Sequence, residues 1–248
     1  MPRPQRMHIL NLAMRCVRFT GGDCPSRLWL MEPNQTPDRQ QIMDWRRSER
    51  QRLIEQRVRA PVEQRQRHSA QICQRLDAHW RGQGRLESGV IVSAYWPLRG
   101  EPDLRPWLGE LCAQGLICVL PVVVQKAAPL QFRRWTPGCA MEKGFWNIPV
   151  PADPTPFVPQ LLISPVVGYD RQCYRLGYGG GYFDRTLELL QSQQRAYQVM
   201  GVGYAAAELT TIHPLPHDIA LHGIVTEEQS WTCGDGGSRD GDGRASQI

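Results

Sequence analysis

The sequence predicts an α/β fold: a single-domain layered sheet, largely parallel, with flanking helices on both faces. Three observations support this prediction. Short apolar runs alternate with segments of helical periodicity, as at residues 90–95, 104–111 and 116–124. A glycine-rich turn separates an apolar run at residues 161–167 from a segment at 182–194 that contains no helix breaker. The chain has 248 residues and 41% hydrophobic content, which is enough to bury a substantial core.

The patterned part of the chain has the size of one domain. Residues 1–41 show no sustained strand or helix periodicity and contain repeated Gly and Pro, so we predict an N-terminal extension that is disordered. Residues 42–232 carry the periodic pattern and form the predicted domain. Residues 233–248 are mostly Gly, Asp, Ser and Arg, a composition that predicts a disordered tail.

The domain begins with two predicted helices and a β-α-β unit. Residues 42–59 lack breakers and place their few apolar residues at helical spacing. Pro61 stands where a second helix can begin, and this helix presents Leu76 and Trp80 on one face. Residues 90–124 then run strand, helix, strand, which implies two parallel strands joined by a right-handed crossover.

The second half of the domain supplies the remaining strands. Residues 130–135 alternate apolar and polar side chains, which predicts a strand with one face in water. Residues 161–167 are apolar throughout, as in a strand buried on both faces. Residues 198–204 and 222–226 are the last two strand candidates.

Charge and cysteine content narrow the class of protein. The formal net charge is only +5, but eight arginines crowd residues 46–67. No apolar run is long enough to span a bilayer, and no continuous apolar segment of a secretory signal is present. The eight cysteines contain no Cys-x-x-Cys pair, so we expect reduced thiols and a cytoplasmic location.

The glycine-rich turn at residues 175–181 predicts a phosphate site. A strand, a glycine-rich turn and a helix in this order bring backbone N–H groups and the positive end of a helix dipole to an anion. Arg175 and Arg185 bracket the turn as counter-charges, and Asp184 in the first helical turn is placed to hold a magnesium ion. The alternatives are a tight structural turn and a carboxylate that only stabilises the helix N-terminus.

Several runs resemble the 5-formyltetrahydrofolate cyclo-ligase family, also called methenyltetrahydrofolate synthetase. The most specific are SPVVGYD at residues 164–170 and YRLGYGGGYFDRTL at residues 174–187. Shorter runs agree in the family's order, and they are YWPLRGEPD at 95–103, LPVV at 120–123, LPHDI at 215–219 and IVTE at 224–227. The resemblance extends from about residue 46 to residue 231.

The resemblance implies an ATP- and Mg²⁺-dependent ring closure. 5-Formyltetrahydrofolate becomes 5,10-methenyltetrahydrofolate, with release of ADP and phosphate. In the chemistry attributed to the family, the formyl oxygen attacks the γ-phosphate and N10 then attacks the activated carbon. The protein needs no nucleophile of its own, because its task is to position the substrates and to stabilise charge.

The resemblance also implies roles for particular residues. The catalytic residues are Arg175 and Asp184, the metal ligands are Asp184 and Asp218, and the folate contacts are Trp96, Glu101 and Tyr182. The expected ATP-binding residues are Arg46, Arg50, Arg175, Leu176, Gly177, Tyr178, Gly179, Gly180, Gly181, Tyr182 and Phe183.

This sequence departs from the family pattern at three positions. The family usually has Lys where Arg46 stands, commonly has Gly where Cys173 stands, and frequently has Asp where His222 stands. A residue with a Cβ at position 173 would be strained if the turn there needs a positive φ. The exposed face of an arginine-rich helix remains the interpretation for Arg52, Arg65 and Arg67.

Two other functions are open at this point. One is a different ATP-dependent ligase or kinase on the same phosphate turn, since a fold does not determine a substrate. The other is an RNA-binding protein that uses the arginine-rich helices. Under the main interpretation the partners are the small molecules 5-formyltetrahydrofolate and ATP, without nucleic acid or membrane, and the chain is expected to be a monomer.

Overall fold

The computed structural model describes residues 37–233. All of them except Pro37 belong to one compact unit, which begins at Asp38. The predicted disorder of residues 1–36 and 234–248 lies outside the described residues and stays a prediction. Within the described part of the chain, no helix combines the length and the apolar character needed to cross a membrane.

The described residues form four α-helices, twelve β-strands and two short 3₁₀ helices. Helices α1 to α4 are Arg39–Arg59, Val62–Gly82, Arg105–Ala113 and Tyr182–Ser192. Strands β1 to β12 are Ile91–Ser93, Ile117–Val122, Gln131–Arg134, Met141–Lys143, Pro149–Pro151, Pro156–Phe157, Leu161–Pro165, Gly168–Tyr169, Arg175–Leu176, Gln198–Val202, Gly223–Val225 and Ser230–Thr232. The 3₁₀ helices are Phe145–Asn147 and Ala205–Ala207.

Eight strands form the main sheet, and its centre is parallel. The order across the sheet is β12, β11, β10, β7, β1, β2, β3, β6. The five strands from β11 to β2 run parallel, whereas β12, β3 and β6 pair antiparallel at the edges. The predicted β-α-β unit is present, because β1 and β2 are parallel neighbours joined by α3. The predicted fold class is therefore confirmed.

Strand alternation divides the core between the two faces of the sheet. In β7, Leu161 and Ile163 pack with α2 and α3, whereas Leu162 packs with α1 and α4 on the other face. Both faces are apolar along the central strands because both are covered by helices. Trp80 of α2 and Trp107 of α3 are buried on the first face, with ring centroids 6.1 Å apart.

Helix α1 begins earlier than the sequence predicted. The boundary was expected at residue 42, but the helix begins at Arg39 with Asp38 as its N-cap. The Asp38 carboxylate accepts the Gln41 N–H at 2.8 Å, and the Gln41 side chain accepts the Asp38 N–H at 2.9 Å. This reciprocal capping box satisfies two N–H groups that would otherwise lack partners.

The capping box leads to a prediction on chain boundaries. We expect a chain that begins at Gln41 to be less stable than one that begins at Pro37 by about 1 kcal/mol, because it lacks the cap. Urea unfolding of both chains measures the difference, and both should end at Cys233. Equal unfolding midpoints would show that the cap contributes nothing.

The expectation that all cysteines are reduced is wrong for one pair. Cys173 and Cys233, 60 residues apart in sequence, form a disulfide, whereas Cys73, Cys112, Cys118 and Cys139 are free. The disulfide also places Cys233 in the folded domain, although the tail was predicted to start there. Cys173 has a φ of 64°, so the position where the family commonly has Gly is left-handed in this chain.

Candidate active site

The candidate site lies at the carboxyl ends of the neighbouring strands β1 and β7, where the chain connections run to opposite sides of the sheet. From β1 the chain continues to β2 on one side, and from β7 it continues to β10 on the other side. Helices α3 and α4, which make these connections, pack on opposite faces of the sheet. Segments that leave β1 and β7 in opposite directions open a crevice beyond the carboxyl ends of these strands, where open α/β sheets bind ligands.

The glycine-rich turn begins in β9, the second strand of the β8–β9 hairpin that follows β7, and it ends at the start of α4. Gly181 is the N-cap of α4 and has a φ of 65°, a conformation that disfavours any residue with a Cβ. No side chain caps the helix. The first N–H groups of α4 are therefore available to an anion, and the helix dipole favours negative charge there.

Two arginines beside the turn form ion pairs with the two aspartates expected to bind metal. Arg175 is buried, and its Nη2 lies 2.9 Å from Asp184 Oδ1 without the alignment of a hydrogen bond. Arg46 is also buried, and its Nη2 lies 2.5 Å from Asp218 Oδ2. The two pairs are adjacent, because the N–H of Ile219 donates to Asp184 Oδ1 at 3.2 Å.

A third arginine of this cluster contacts the turn directly. Arg50 donates from Nε to the carbonyl oxygen of Gly177 at 2.7 Å. Burial and the neighbouring Arg46 lower the pKa of Arg50, and burial lowers the pKa of Arg175. Crowding of partly desolvated cations is unfavourable by itself, and a bound phosphate would relieve it. The structure thus brings together all three arginines that the sequence assigned to ATP.

The loop after β1 places Glu101 against the glycine-rich turn. Tyr178 donates from its hydroxyl to Glu101 Oε1 at 2.8 Å, and the N–H of Leu98 donates to Oε2 at 2.9 Å. Arg57 Nη2 lies 3.4 Å from the same Oε1. Burial raises the pKa of Glu101, while Arg57 and these hydrogen bonds oppose the rise. The expected folate carboxylate and the expected phosphate turn are therefore in contact.

The two aromatic residues expected to contact folate occupy different surroundings. Trp96 is half-buried, and the guanidinium of Arg105 lies over its ring at 4.6 Å from the centroid. Tyr182 lies at the start of α4, with the guanidinium of Arg185 at 5.1 Å from its ring centroid. Arg185 also donates to the carbonyl oxygen of Gly180, so this arginine supports the turn.

Two functional candidates were missed in the sequence. Trp146 is 65% exposed, has a φ of 55° and lies edge-on to Tyr182 at 5.8 Å between ring centroids. A large exposed aromatic ring held in an unfavourable backbone conformation is typical of a ligand contact.

The second functional candidate missed in the sequence is Arg57, which is buried at the end of α1. Arg46, Arg50, Leu53 and Arg57 follow the spacing of one helix face, which is the signal that could have singled it out.

The structure has an α/β fold with a glycine-rich turn and a cluster of arginines beyond the carboxyl ends of its central strands. The chain belongs to the 5-formyltetrahydrofolate cyclo-ligase family, whose model matches residues 42–227. The resemblance stated from the sequence motifs is thereby confirmed. The chain is a ligase, and neither an unrelated ligase or kinase nor an RNA-binding protein is favoured.

Individual relatives agree with the family assignment. The 5-formyltetrahydrofolate cyclo-ligase of Mycolicibacterium smegmatis is 33% identical over 150 residues, which cover 57% of this chain and 76% of that protein. The Escherichia coli K12 protein of the same name is 32% identical over 149 residues, 56% of this chain and 79% of that protein. The NMR structure of Aquifex aeolicus 5,10-methenyltetrahydrofolate synthetase matches with a TM-score of 0.63 and 25% identity, covering 79% of this chain and 96% of that one.

Proposed function

We propose that this chain uses ATP and Mg²⁺ to close 5-formyltetrahydrofolate into 5,10-methenyltetrahydrofolate, releasing ADP and phosphate. Family membership supports the reaction, and one structural observation supports its location. Tyr178, within the phosphate turn, is bonded to Glu101 of the loop assigned to folate. The reaction joins a formyl oxygen to a γ-phosphate, so its two binding sites must be neighbours.

The proposed ATP site consists of the turn and the three arginines. Backbone N–H groups of residues 176–183 would bind phosphate oxygens, together with the uncapped start of α4. Arg46, Arg50 and Arg175 would supply charge-assisted hydrogen bonds. Arg175 Nη2 is buried and lies 2.9 Å from Asp184 Oδ1 without an aligned hydrogen bond, so its N–H groups remain able to donate to a phosphate oxygen.

The proposed metal ligands are Asp184 and Asp218. Asp184 uses Oδ1 for Ile219 and Arg175, and no hydrogen bond in the described residues uses its Oδ2, which therefore fits a metal ligand. Asp218 Oδ2 accepts from Arg46 and from the Leu215 N–H, and Oδ1 has a 3.4 Å contact with Arg46, so metal binding by Asp218 would be easier once Arg46 turns to the phosphates. Residues 37–233 contain no group of three His, Cys, Asp or Glu side chains suited to a metal ion.

This ligand set suits Mg²⁺ in particular. Mg²⁺ is commonly held by one or two carboxylates and completes its shell with phosphate oxygens and water. When bound, Mg²⁺ would neutralise charge that develops on the transferring phosphoryl group.

The proposed folate site lies on the other side of the turn. The Glu101 carboxylate would accept hydrogen bonds from pterin N–H donors, while Trp96 and Tyr182 would contact the ring system. We add Trp146 to this set, because its exposed ring meets Tyr182.

The reaction needs charged groups and hydrogen-bond donors in fixed positions around the substrates, and it needs no nucleophilic side chain. The formyl oxygen forms a bond to the γ-phosphorus as the bond from phosphorus to ADP breaks. The lone pair of N10 then attacks the formyl carbon, N10 loses its proton, and phosphate departs with the former formyl oxygen. Arg175 and the turn N–H groups would stabilise the negative charge on the transferring phosphoryl group.

An absorbance assay tests the proposed function. Purified protein with 5-formyltetrahydrofolate and MgATP should form the methenyl product with one ADP released per turnover. Absence of product under these conditions, with a folded protein, would refute the proposed reaction.

A carboxylate substitution tests the folate assignment. We expect Glu101→Gln to raise the folate KM by about 10- to 100-fold, since a hydrogen bond to a charged group contributes about 1.5 to 3 kcal/mol. The KM for ATP should barely change. Steady-state kinetics with each substrate varied in turn measure both constants.

The matched control is Glu110→Gln, an exposed carboxylate on α3. Thermal melting of Glu101→Gln shows whether the variant is folded, because Glu101 is buried. An altered ATP KM with an unchanged folate KM would instead place Glu101 at the nucleotide.

We also propose that the chain is a cytoplasmic monomer that binds small molecules and neither nucleic acid nor membrane. Four of the six cysteines in residues 37–233 are free, which suits a reducing compartment. Two exposed arginines of α1 pair with carboxylates of the same helix, Arg52 with Glu49 and Arg59 with Glu55. RNA binding that weakens steeply with salt, or a dimer in gel filtration, would contradict this proposal.

A further inference from the structure

Arg57 is a buried cation that the steps above do not use. Its side chain is 7% exposed, and it lies near the carboxyl end of α1. Its Nε donates to the carbonyl oxygen of Arg99 at 2.9 Å, and its Nη2 donates to the Tyr178 hydroxyl. The same Nη2 lies 3.4 Å from Glu101 Oε1. Arg57 therefore connects α1, the loop after β1 and the glycine-rich turn.

The loop that carries Glu101 is shaped around Arg57. Arg99 and Gly100 have φ values of 46° and 77°, so two consecutive residues are left-handed. A Cβ at Gly100 would lie 3.2 Å from the carbonyl oxygen of Arg57, so the loop packs directly on the helix backbone. Arg99, which has a Cβ, is disfavoured in this conformation, and the bond from Arg57 stabilises it.

Arg57 is also the cation that faces the buried carboxylate. The groups that face Glu101 are Arg57 from α1, Tyr178 from the turn, Tyr95 from the end of β1 and Tyr204 after β10. Burial raises the pKa of all three tyrosines, so they are neutral near pH 7. Of these groups only Arg57 carries a charge that offsets the burial of Glu101.

We infer that Arg57 is a positioning residue that keeps the Glu101 carboxylate ionised and aimed at the folate, with Tyr178 linking this carboxylate to the phosphate turn. The inference rests on the proposed function, because it assumes that Glu101 accepts the pterin. Arg57 acts through Glu101 and does not touch substrate. Its loss should therefore change folate binding and its pH dependence rather than the chemical step.

The decisive variant is Arg57→Leu, which removes the cation and keeps an apolar stem. We expect the folate KM to rise about tenfold or more near pH 7, while kcat and the KM for ATP change much less. Without Arg57 the pKa of Glu101 rises further, so folate binding weakens as pH falls, and the inflection lies at higher pH than in the wild type. Arg57→Lys should restore part of the loss, because it returns a charge without the planar fork.

The matched control is Arg59→Leu, on the same helix but with an 81% exposed side chain. Its folate KM and pH profile should equal those of the wild type. If Arg57→Leu does not fold, Tyr178→Phe tests the same link, because it removes only the hydroxyl bonded to Glu101. That variant should raise the folate KM several-fold and move the inflection in the same direction.

The outcomes separate this inference from the proposed function. If Glu101→Gln raises the folate KM but the folded Arg57 variant or Tyr178→Phe keeps the wild-type KM and pH profile, the inference is wrong and the folate site stands. If Glu101→Gln itself leaves the folate KM unchanged, the proposed folate site fails. A fall in kcat with an unchanged folate KM in Arg57→Leu would assign Arg57 to the chemical step and overturn the positioning role.

Discussion

Replacement of Arg175 by alanine should lower kcat/KM for ATP by about 100- to 1000-fold, the loss typical of removing one donor that stabilises transition-state charge. Arg175 is buried beside the start of α4, its Nη1 donates to the Ile219 carbonyl oxygen at 3.1 Å, and its Nη2 has no hydrogen-bond partner. The variant removes the proposed phosphate contact and leaves Asp184 without its counter-charge. Both the affinity for ATP and the rate of phosphoryl transfer should fall, whereas the folate KM should change little.

The control has to separate lost catalysis from lost stability. Removing one partner of a buried ion pair can cost about 3 to 5 kcal/mol of folding stability, so thermal melting must accompany the kinetics. Arg171→Ala is the matched control, because Arg171 lies in the same β8–β9 hairpin, is exposed and pairs with Glu208. Arg175→Ala that is folded and has wild-type ATP kinetics would remove Arg175 from the nucleotide site.

The second large effect is expected for Asp184→Asn. Turnover should fall by about 10- to 100-fold, and excess Mg²⁺ should restore only part of it, because one carboxylate of a small metal site becomes neutral. Asparagine can keep the acceptor for the Ile219 N–H but places an amide donor at the position of Oδ2. Turnover measured across a Mg²⁺ titration gives the apparent metal affinity of both proteins.

Glu188→Gln on the same helix is the control for this variant, because Glu188 is exposed. Its Mg²⁺ dependence should match the wild type. A Mg²⁺ titration of Asp184→Asn that superimposes on the wild-type curve would exclude Asp184 as a metal ligand and leave it as the partner of Arg175.

The candidate site could be predicted from sequence because its backbone part is local. The turn at residues 175–181 needs only consecutive glycines between an apolar strand and a helix, and the structure has Gly181 left-handed at the start of α4. Arg175 and Asp184 flank this turn, so their proximity follows from a few residues of chain. Their proposed roles remain predictions that the two variants test.

The partners of the side chains could not be predicted in the same way. Arg57 and Arg59 are both arginines in one basic helix, yet one is buried against Glu101 and the other is exposed. Asp218 was expected to bind metal, and its ion pair with Arg46 joins residues that are 172 positions apart. Which groups neutralise each other depends on how α1 packs over the sheet, and no local pattern encodes that packing.

The sequence by itself determined the α/β class, the parallel central strands and the glycine-rich turn before α4, because periodicity, strand length and glycine content act over short segments. Only the tertiary structure decided the antiparallel edge strands, the Cys173–Cys233 disulfide and the contact between Tyr178 and Glu101. These features join segments that are distant in sequence. Their geometry is set by the packing of helices on both faces of the sheet. This packing decides which of several residues of the same type becomes buried and which stays exposed.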